Sequence, residues 1–311
     1  VVMSAPIPMS VLWGPELIQI YNDEYRKVIG NKHPAAMGES AADSWAEAWP
    51  QIGPILTSVA GGGGAVSRDD LMLLIDRKGE SEETHWSFSY SPWAGPGGEP
   101  EGVLAVAHET TARVFQQGRL STLHELALVG FTPTTSAQAC RQAVAVLRRD
   151  RLDVPFAAVY LADSTGYLRR QAGYGASRAS YWLPAEIEPG STHPYARALS
   201  EGGAVHAHTS VVGGKLHAGP AGPVRPGSIT SVPLKASHGE VIGVMVWAAN
   251  PYRPLDENYD HFLHLVSEHV AAARGERSLL PTRSSVPRSW PGSTPRRRGS
   301  TRTPATNSAR R

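Results

Sequence analysis

Apolar positions open the chain as two short strands. Val11 to Trp13 forms the first, Gly14-Pro15 makes a turn, and Leu17 to Tyr21 alternates Leu17, Gln19 and Tyr21 against Ile18 and Ile20. A hairpin is the expected result. Asn22 or Asp23 then suits the cap of a helix running to Ile29, where Gly30 stops it, and Asp43 suits the cap of another that carries Trp45 and Trp49 on one face. Three further strands are expected at Asp70 to Ile75, Thr84 to Tyr90 and Gly102 to His108, separated by glycine-rich turns. Two strands, short helices and three strands is an α+β order, met by an antiparallel sheet with helices on one face.

Glu109 to Val129 is helix-prone, with Val114, Leu120, Leu123, Leu126 and Ala127 at three- and four-residue spacings. Its expected role is a connecting helix, and the stripe suits pairing with a second copy. A new amphipathic helix begins at Ser136 with Ala137, Cys140, Val144 and Leu147 on one face. Strands follow at Phe156 to Ala162 and Tyr167 to Ala172 around the turn Asp163 to Gly166, then a helix from Pro194 to Leu199. Strands at Ile229 to Leu234 and Val241 to Ala248 lead to a last helix, Asp256 to Ala273, with Tyr259, Phe262, Leu263, Val266 and Val270 on one side. The pattern is helix, antiparallel sheet, helix. From Arg274 on there is almost no periodic apolar signal, so that segment cannot offset its ordering entropy and is expected to be disordered.

Charge changes how that end is read. The net charge of +2 hides an uneven distribution: residues 274–311 hold ten arginines and one glutamate, a balance of +9 that leaves −7 for residues 1–273. The folded part therefore lacks the balance of a nucleic-acid-binding domain, and no specific nucleic-acid partner is expected. The tail can meet nucleic acid or acidic membrane by charge alone, a contact that salt would abolish. Its only aromatic residue is Trp290, too little for a base-stacking platform. A 41% hydrophobic share fits a folded chain, and 311 residues suffice for two ordinary cores. The longest clean apolar stretch, Val241 to Ala249, is far short of the roughly 20 residues a membrane span needs, so no membrane insertion is expected. Nor does Val1 to Met9 read as a signal peptide. A single cysteine, Cys140, excludes an internal disulfide and fits a reducing, cytoplasmic compartment.

Several motifs point to a family. Trp13-Gly-Pro-Glu-Leu17, Tyr21-Asn-Asp-Glu-Tyr25, Gly30-Asn-Lys-His33-Pro34 and Trp45-Ala-Glu-Ala-Trp49 resemble the PAS domains at the front of many bacterial sensor histidine kinases. Glu82-Glu83-Thr84-His-Trp-Ser-Phe88-Ser-Tyr90-Ser-Pro92 looks like that family's penultimate strand, and Gly102 to Val114 like its last strand and exit. Residues from about Leu123 to Ala273 resemble a GAF domain through Ser231-Val-Pro233-Leu234, Gly243-Val-Met-Val-Trp247, Asn250-Pro251 and Arg253-Pro254-Leu255-Asp256. The resemblance implies an α+β chain of two domains, PAS-like at 1–112 and GAF-like at 131–273. Each is an antiparallel sheet with flanking helices, and a connecting helix at 113–130 and a tail at 274–311 complete the chain. It further implies a signal-sensing input module of a two-component system, truncated before its kinase domain, that takes a small-molecule ligand and forms a homodimer through the connecting helix. The same resemblance admits the input half of a serine/threonine phosphatase regulator, or a dimerising scaffold that senses nothing. The arginine-rich end is then read as an out-of-frame continuation of the linker to the lost output domain.

The candidate chemistry is sparse. Trp13, Tyr21, Tyr25, Trp45 and Trp49 suit the lining of a small apolar pocket, with Asn22 and His33 as polar anchors, but aromatics at these spacings more often fill a core. His124-Glu125 continues as Leu-Ala-Leu-Val instead of the Arg-Thr-Pro of a phosphoacceptor site, so it reads as a linker residue. His206, His208 and His217 invite a metal reading, yet no cysteine or carboxylate lies beside them in sequence and solvated loop histidines are the simpler reading. Cys140 sits on an amphipathic helix without an adjacent histidine, which suits a small core residue better than a tetrapyrrole anchor. Gly61 to Gly64 runs into Ala-Val with no lysine for a phosphate, and no nucleophile-elbow, zincin or kinase motif occurs. No catalytic residue, no metal and no particular cofactor is assigned, and the chain is expected to be a non-enzyme.

Overall fold

In the computed structural model, which describes residues 2–76, 79, 81–129, 131, 135–176, 180–208, 216–217, 223–224, 227–236 and 238–275, the chain builds two antiparallel sheets. The first sheet takes β1 (Met9–Trp13), β2 (Ile18–Tyr21), β3 (Val66–Asp76), β4 (Ser81–Ala94) and β5 (Pro100–Glu109) in the order β2-β1-β5-β4-β3. The expected hairpin is present, with Val11 opposite Ile20, and β5 closes on its other side with Leu104 opposite Val11. Gly102 permits that closure, since a Cβ there would stand 2.3 Å from the Leu12 carbonyl oxygen.

Helices α1 (Arg26–Ile29), α2 (Ala41–Ser44) and α3 (Trp49–Ala60) lie between β2 and β3 and cover one face of the sheet. The N-cap of α1 is Tyr25, without a side-chain cap, and not Asn22 or Asp23 as expected; the Asn22 Oδ1 instead accepts from the Tyr25 amide at 3.0 Å in the turn before the helix. The cap of α2 is Ser40, whose hydroxyl accepts from the Asp43 amide at 3.2 Å, so Asp43 lies inside that helix. Trp45 ends α2 and Trp49 begins α3, so the two tryptophans do not share a helix as their spacing predicts. Ser40 satisfies the Asp43 amide, one of the free amides at the helix start, so the role expected of Asp43 falls to a residue three positions earlier.

A long helix, α4 (Thr111–Val129), follows β5, and α5 (Ser136–Leu147) opens the second fold. Thr135 and Gln138 cap α5 reciprocally. The second sheet runs β8-β7-β6-β13-β12-β9, from β6 (Phe156–Ala162), β7 (Leu168–Tyr174), β8 (Glu186–Ile187), β9 (Val205–His208), β12 (Ser228–Lys235) and β13 (Val241–Ala248). Between them α6 (Pro194–Glu201) precedes β9, the short pair β10 (Leu216–His217) and β11 (Pro223–Val224) precedes β12, and α7 (Glu257–Gly275) ends the fold. Strands β8 and β9 add to the four expected. They are too short or too polar to announce themselves by periodicity.

Helices α5, α7 and the end of α4 cover one face of this sheet, and α6 covers the other. Burial on both faces explains why β6 and β13 read as continuous apolar runs: Phe156, Ala158 and Tyr160 point to one cluster, Ala157 and Val159 to the other. Both folds lie within one compact unit, Val1–Arg277, although their hydrophobic clusters are distinct. Residues 276–311, with nearly all of the tail expected to be disordered, and the loop around Gly213-Gly214 lie outside the described residues.

Candidate functional site

The first sheet and its covering helices enclose a cavity of about 40 Å³. Its wall is aromatic and aliphatic, drawn from β4 (Trp86, Phe88, Tyr90), from the helices (Val28, Trp45, Leu56) and from β2 through Gln19. This volume holds about three water molecules or one molecule of a few heavy atoms. Among the described residues no charged side chain lines it.

Gln19 is the polar centre of the cavity. Its residue is fully buried, its Oε1 accepts from the Trp45 indole N–H at 2.9 Å, and its Nε2 has no hydrogen-bond partner among the described residues. A buried amide donor left unmatched costs roughly 1–3 kcal/mol, a cost that an acceptor in the cavity would remove. Tyr25 and Tyr90 add phenols whose pKa values burial raises well above 10.0. Both therefore stay protonated, and the site offers neutral hydrogen-bonding groups in an apolar wall. Trp86 directs its indole N–H to Thr84 Oγ1 at 2.8 Å and so shows the cavity its ring.

The geometry places Tyr25 and Trp45, of the sequence-selected aromatics, at the cavity. Tyr21 is buried beside it, its ring 5.5 Å from that of Tyr25 and its hydroxyl 3.0 Å from His33 Nδ1. Trp49 packs half-buried against the same cluster over Gly53, where a Cβ would come within 2.7 Å of the indole. Trp13 stands apart, 44% exposed at a surface cleft with Gly14, Ala60 and Pro100. Asn22 is committed elsewhere: its Nδ2 donates to the carbonyls of Val2, Ala5 and Ile7, and its Oδ1 accepts from Met9 and Tyr25 amides. Gln19 was legible only as the polar member of an alternation whose neighbours face inward, and that was the available signal.

The remaining candidates fall as follows. His124 is exposed on α4, and Cys140 is buried in the core under α5. His206 and His208 are on strand β9, with His206 Nδ1 3.0 Å from Thr230 Oγ1. The side chain of His217 lies outside the described residues. Among the described residues no group of three His, Cys, Asp or Glu side chains is placed to hold a metal ion, and no helix is long and apolar enough to cross a membrane.

Two family profiles match the chain: one described as PAS fold over residues 17–114, one as GAF domain over residues 133–274. No curated protein matches it. Solved structures with similar folds include the GAF domain of a phosphoenolpyruvate-protein phosphotransferase from Coxiella burnetii, at 14% identity over 50% of this chain and 92% of that one, with a TM-score of 0.38. Another is free methionine-R-sulfoxide reductase from Neisseria meningitidis in complex with its substrate, at 18% identity over 50% of this chain and 87% of that one, with a TM-score of 0.37. The two antiparallel sheets, the helices that cover them and the two profile matches agree: the chain carries a domain of the PAS fold followed by a GAF domain, the pairing of a sensory input module.

Proposed function

We propose that this chain is the cytoplasmic signal-input region of a two-component-type sensor histidine kinase, and that its PAS cavity takes a small neutral molecule bearing a hydrogen-bond acceptor. The observation that carries the ligand reading is the Gln19 Nε2 group, fully buried beside an aromatic cavity, where the described residues offer it no partner and line the cavity with no charged side chain. The kinase output rests on the likeness of the PAS segments and of the exit Glu109 to Val114 to that family. On this reading the chain itself is not catalytic, and its only cysteine is buried.

The test is thermal unfolding of the full chain against short-chain amides, ketones and alcohols, repeated with Gln19→Leu. A ligand at about 100 times its Kd adds about 2.7 kcal/mol of stability, read as a rise in Tm. The reading expects at least one such compound to raise the Tm of the natural chain and not that of Gln19→Leu. Equal shifts in both, or none in either, contradict it.

A second reading, homodimerisation through α4, is favoured by a separate observation. Leu120, Leu128 and Phe131 are 70%, 52% and 81% exposed at spacings that place them on one side of that helix and its end. This apolar strip suits a second copy of the same strip.

A further inference from the structure

Strand β4 has two working faces. Trp86, Phe88 and Tyr90 point into the PAS cavity, whereas Glu83 and His85, at the alternate positions, point away from it. The β5 strand pairs with β4 only from Trp86 onward, so the edge of β4 before it is free of β5. The GAF domain takes that edge: the Glu83 amide donates to the Tyr252 carbonyl at 2.8 Å.

The Glu83 side chain then meets Arg253 in a two-point pair, Nε to Oε2 at 3.0 Å and Nη2 to Oε1 at 2.6 Å, with both side chains almost wholly buried. Asn250 Nδ2 donates to Glu83 Oε2 at 3.2 Å, and His85 Nε2 is 3.2 Å from Oε1. Arg253 continues to Asp153 at 2.5 Å, and Asp153 is also held by Arg119 of α4 at 3.1 Å. Phe115 of α4 lies under the Arg253 guanidinium at 4.0 Å, and Tyr259 of α7 under that of Arg119 at 4.3 Å. Two carboxylates and two guanidinium groups thus pair at the place where the PAS strand, the connecting helix and the GAF domain meet, with the Asp150 carboxyl beside Asp153.

Buried ion pairs contribute little net stability against an apolar alternative, but they are intolerant of displacement, because separating one leaves an uncompensated charge. The hydrophobic clusters of the two folds are distinct, and Phe115 belongs to neither. The polar network is therefore a specific contact between them. We propose that the Glu83–Arg253–Asp153–Arg119 network couples the two sensory domains through β4, so that a change in the packing of the PAS core alters the opening of the GAF domain. This goes beyond the ligand reading and does not depend on it.

The test uses hydrogen exchange by mass spectrometry on the full chain without ligand. Val59→Ala, in the PAS core and away from both cavity and network, perturbs the PAS fold. The proposal expects it to speed exchange in GAF strands β6 and β13 at least about fivefold. In a background of Glu83→Gln with Arg253→Met, where Asp153 keeps Arg119, the same substitution should change GAF exchange by less than about twofold. If that background does not fold, Glu83→Gln alone serves, since Arg253 keeps Asp153, and Ile29→Val replaces Val59→Ala if that variant unfolds. Unchanged GAF exchange in the natural background, or an equal effect in both backgrounds, overturns the proposal.

Discussion

Glu83 illustrates how a single residue acquires a role its type does not announce. Burial pushes its carboxyl up, but hydrogen bonds with His85 and Arg253 and the positive charge of Arg253 outweigh burial and hold it below the ordinary 4.5. A folded-state value below the unfolded one means stability that is fully present above about pH 4.5 and lost as pH falls through the folded value. Asp150 runs the other way. Burial and the neighbouring charge of Asp153 raise it above 3.8 against the hydrogen bond from Thr122, so its ionisation costs stability that falling pH restores. Urea midpoints measured from about pH 6 to about pH 3 should therefore fall less steeply in Glu83→Gln than in the natural chain; identical slopes would remove Glu83 from the account. At neutral pH, Arg253→Met leaves the buried Glu83 charge without its guanidinium, held by Asn250 and His85 alone, and should cost about 3–5 kcal/mol, whereas Glu83→Gln leaves Arg253 with Asp153 and should cost about 1–3 kcal/mol. Equal losses in urea unfolding would argue against the two-point pair. None of this was legible from sequence, where Glu83 is one of three consecutive or near-consecutive acids in a polar strand end. Gln19 was partly legible, because its place between Leu17 and Tyr21 assigns it to the buried face, but sequence does not tell which of its amide atoms finds a partner.

Helix α4 shows the same limit for an element. Its existence and span follow from helix-forming residues, and the expected stripe was Val114, Leu120, Leu123, Leu126 and Ala127. The buried positions are Phe115, Arg119, Thr122, Leu126 and Val129, alternating four and three residues apart. Reading apolar residues alone skipped Arg119 and Thr122, which are buried because Asp153 and Asp150 receive them. Leu120 was thereby released to the exposed side with Leu128 and Phe131. Were this strip the homodimer contact, Leu128→Glu should convert the dimer to monomer in analytical ultracentrifugation while leaving the circular dichroism spectrum unchanged. A natural chain that sediments as a monomer at tens of micromolar would set the dimer aside. Strands β6 and β13 were found easily from sequence because both faces are covered and the apolar run is unbroken.

For the whole molecule, the order of sheets and helices in both folds was readable, since each fold must bury one apolar face and the hydrophobic period states which. The contact between the folds was not, because it is made by charged and amide groups whose partners lie about 170 residues away. That contact is what turns two sensory domains in series into one responsive unit. Scanning calorimetry of the full chain tests it most directly. A single heat-absorption peak is expected for the PAS and GAF domains together, with van't Hoff and calorimetric enthalpies equal, and the Glu83→Gln, Arg253→Met pair should split it in two. Two resolved peaks in the natural chain would contradict it.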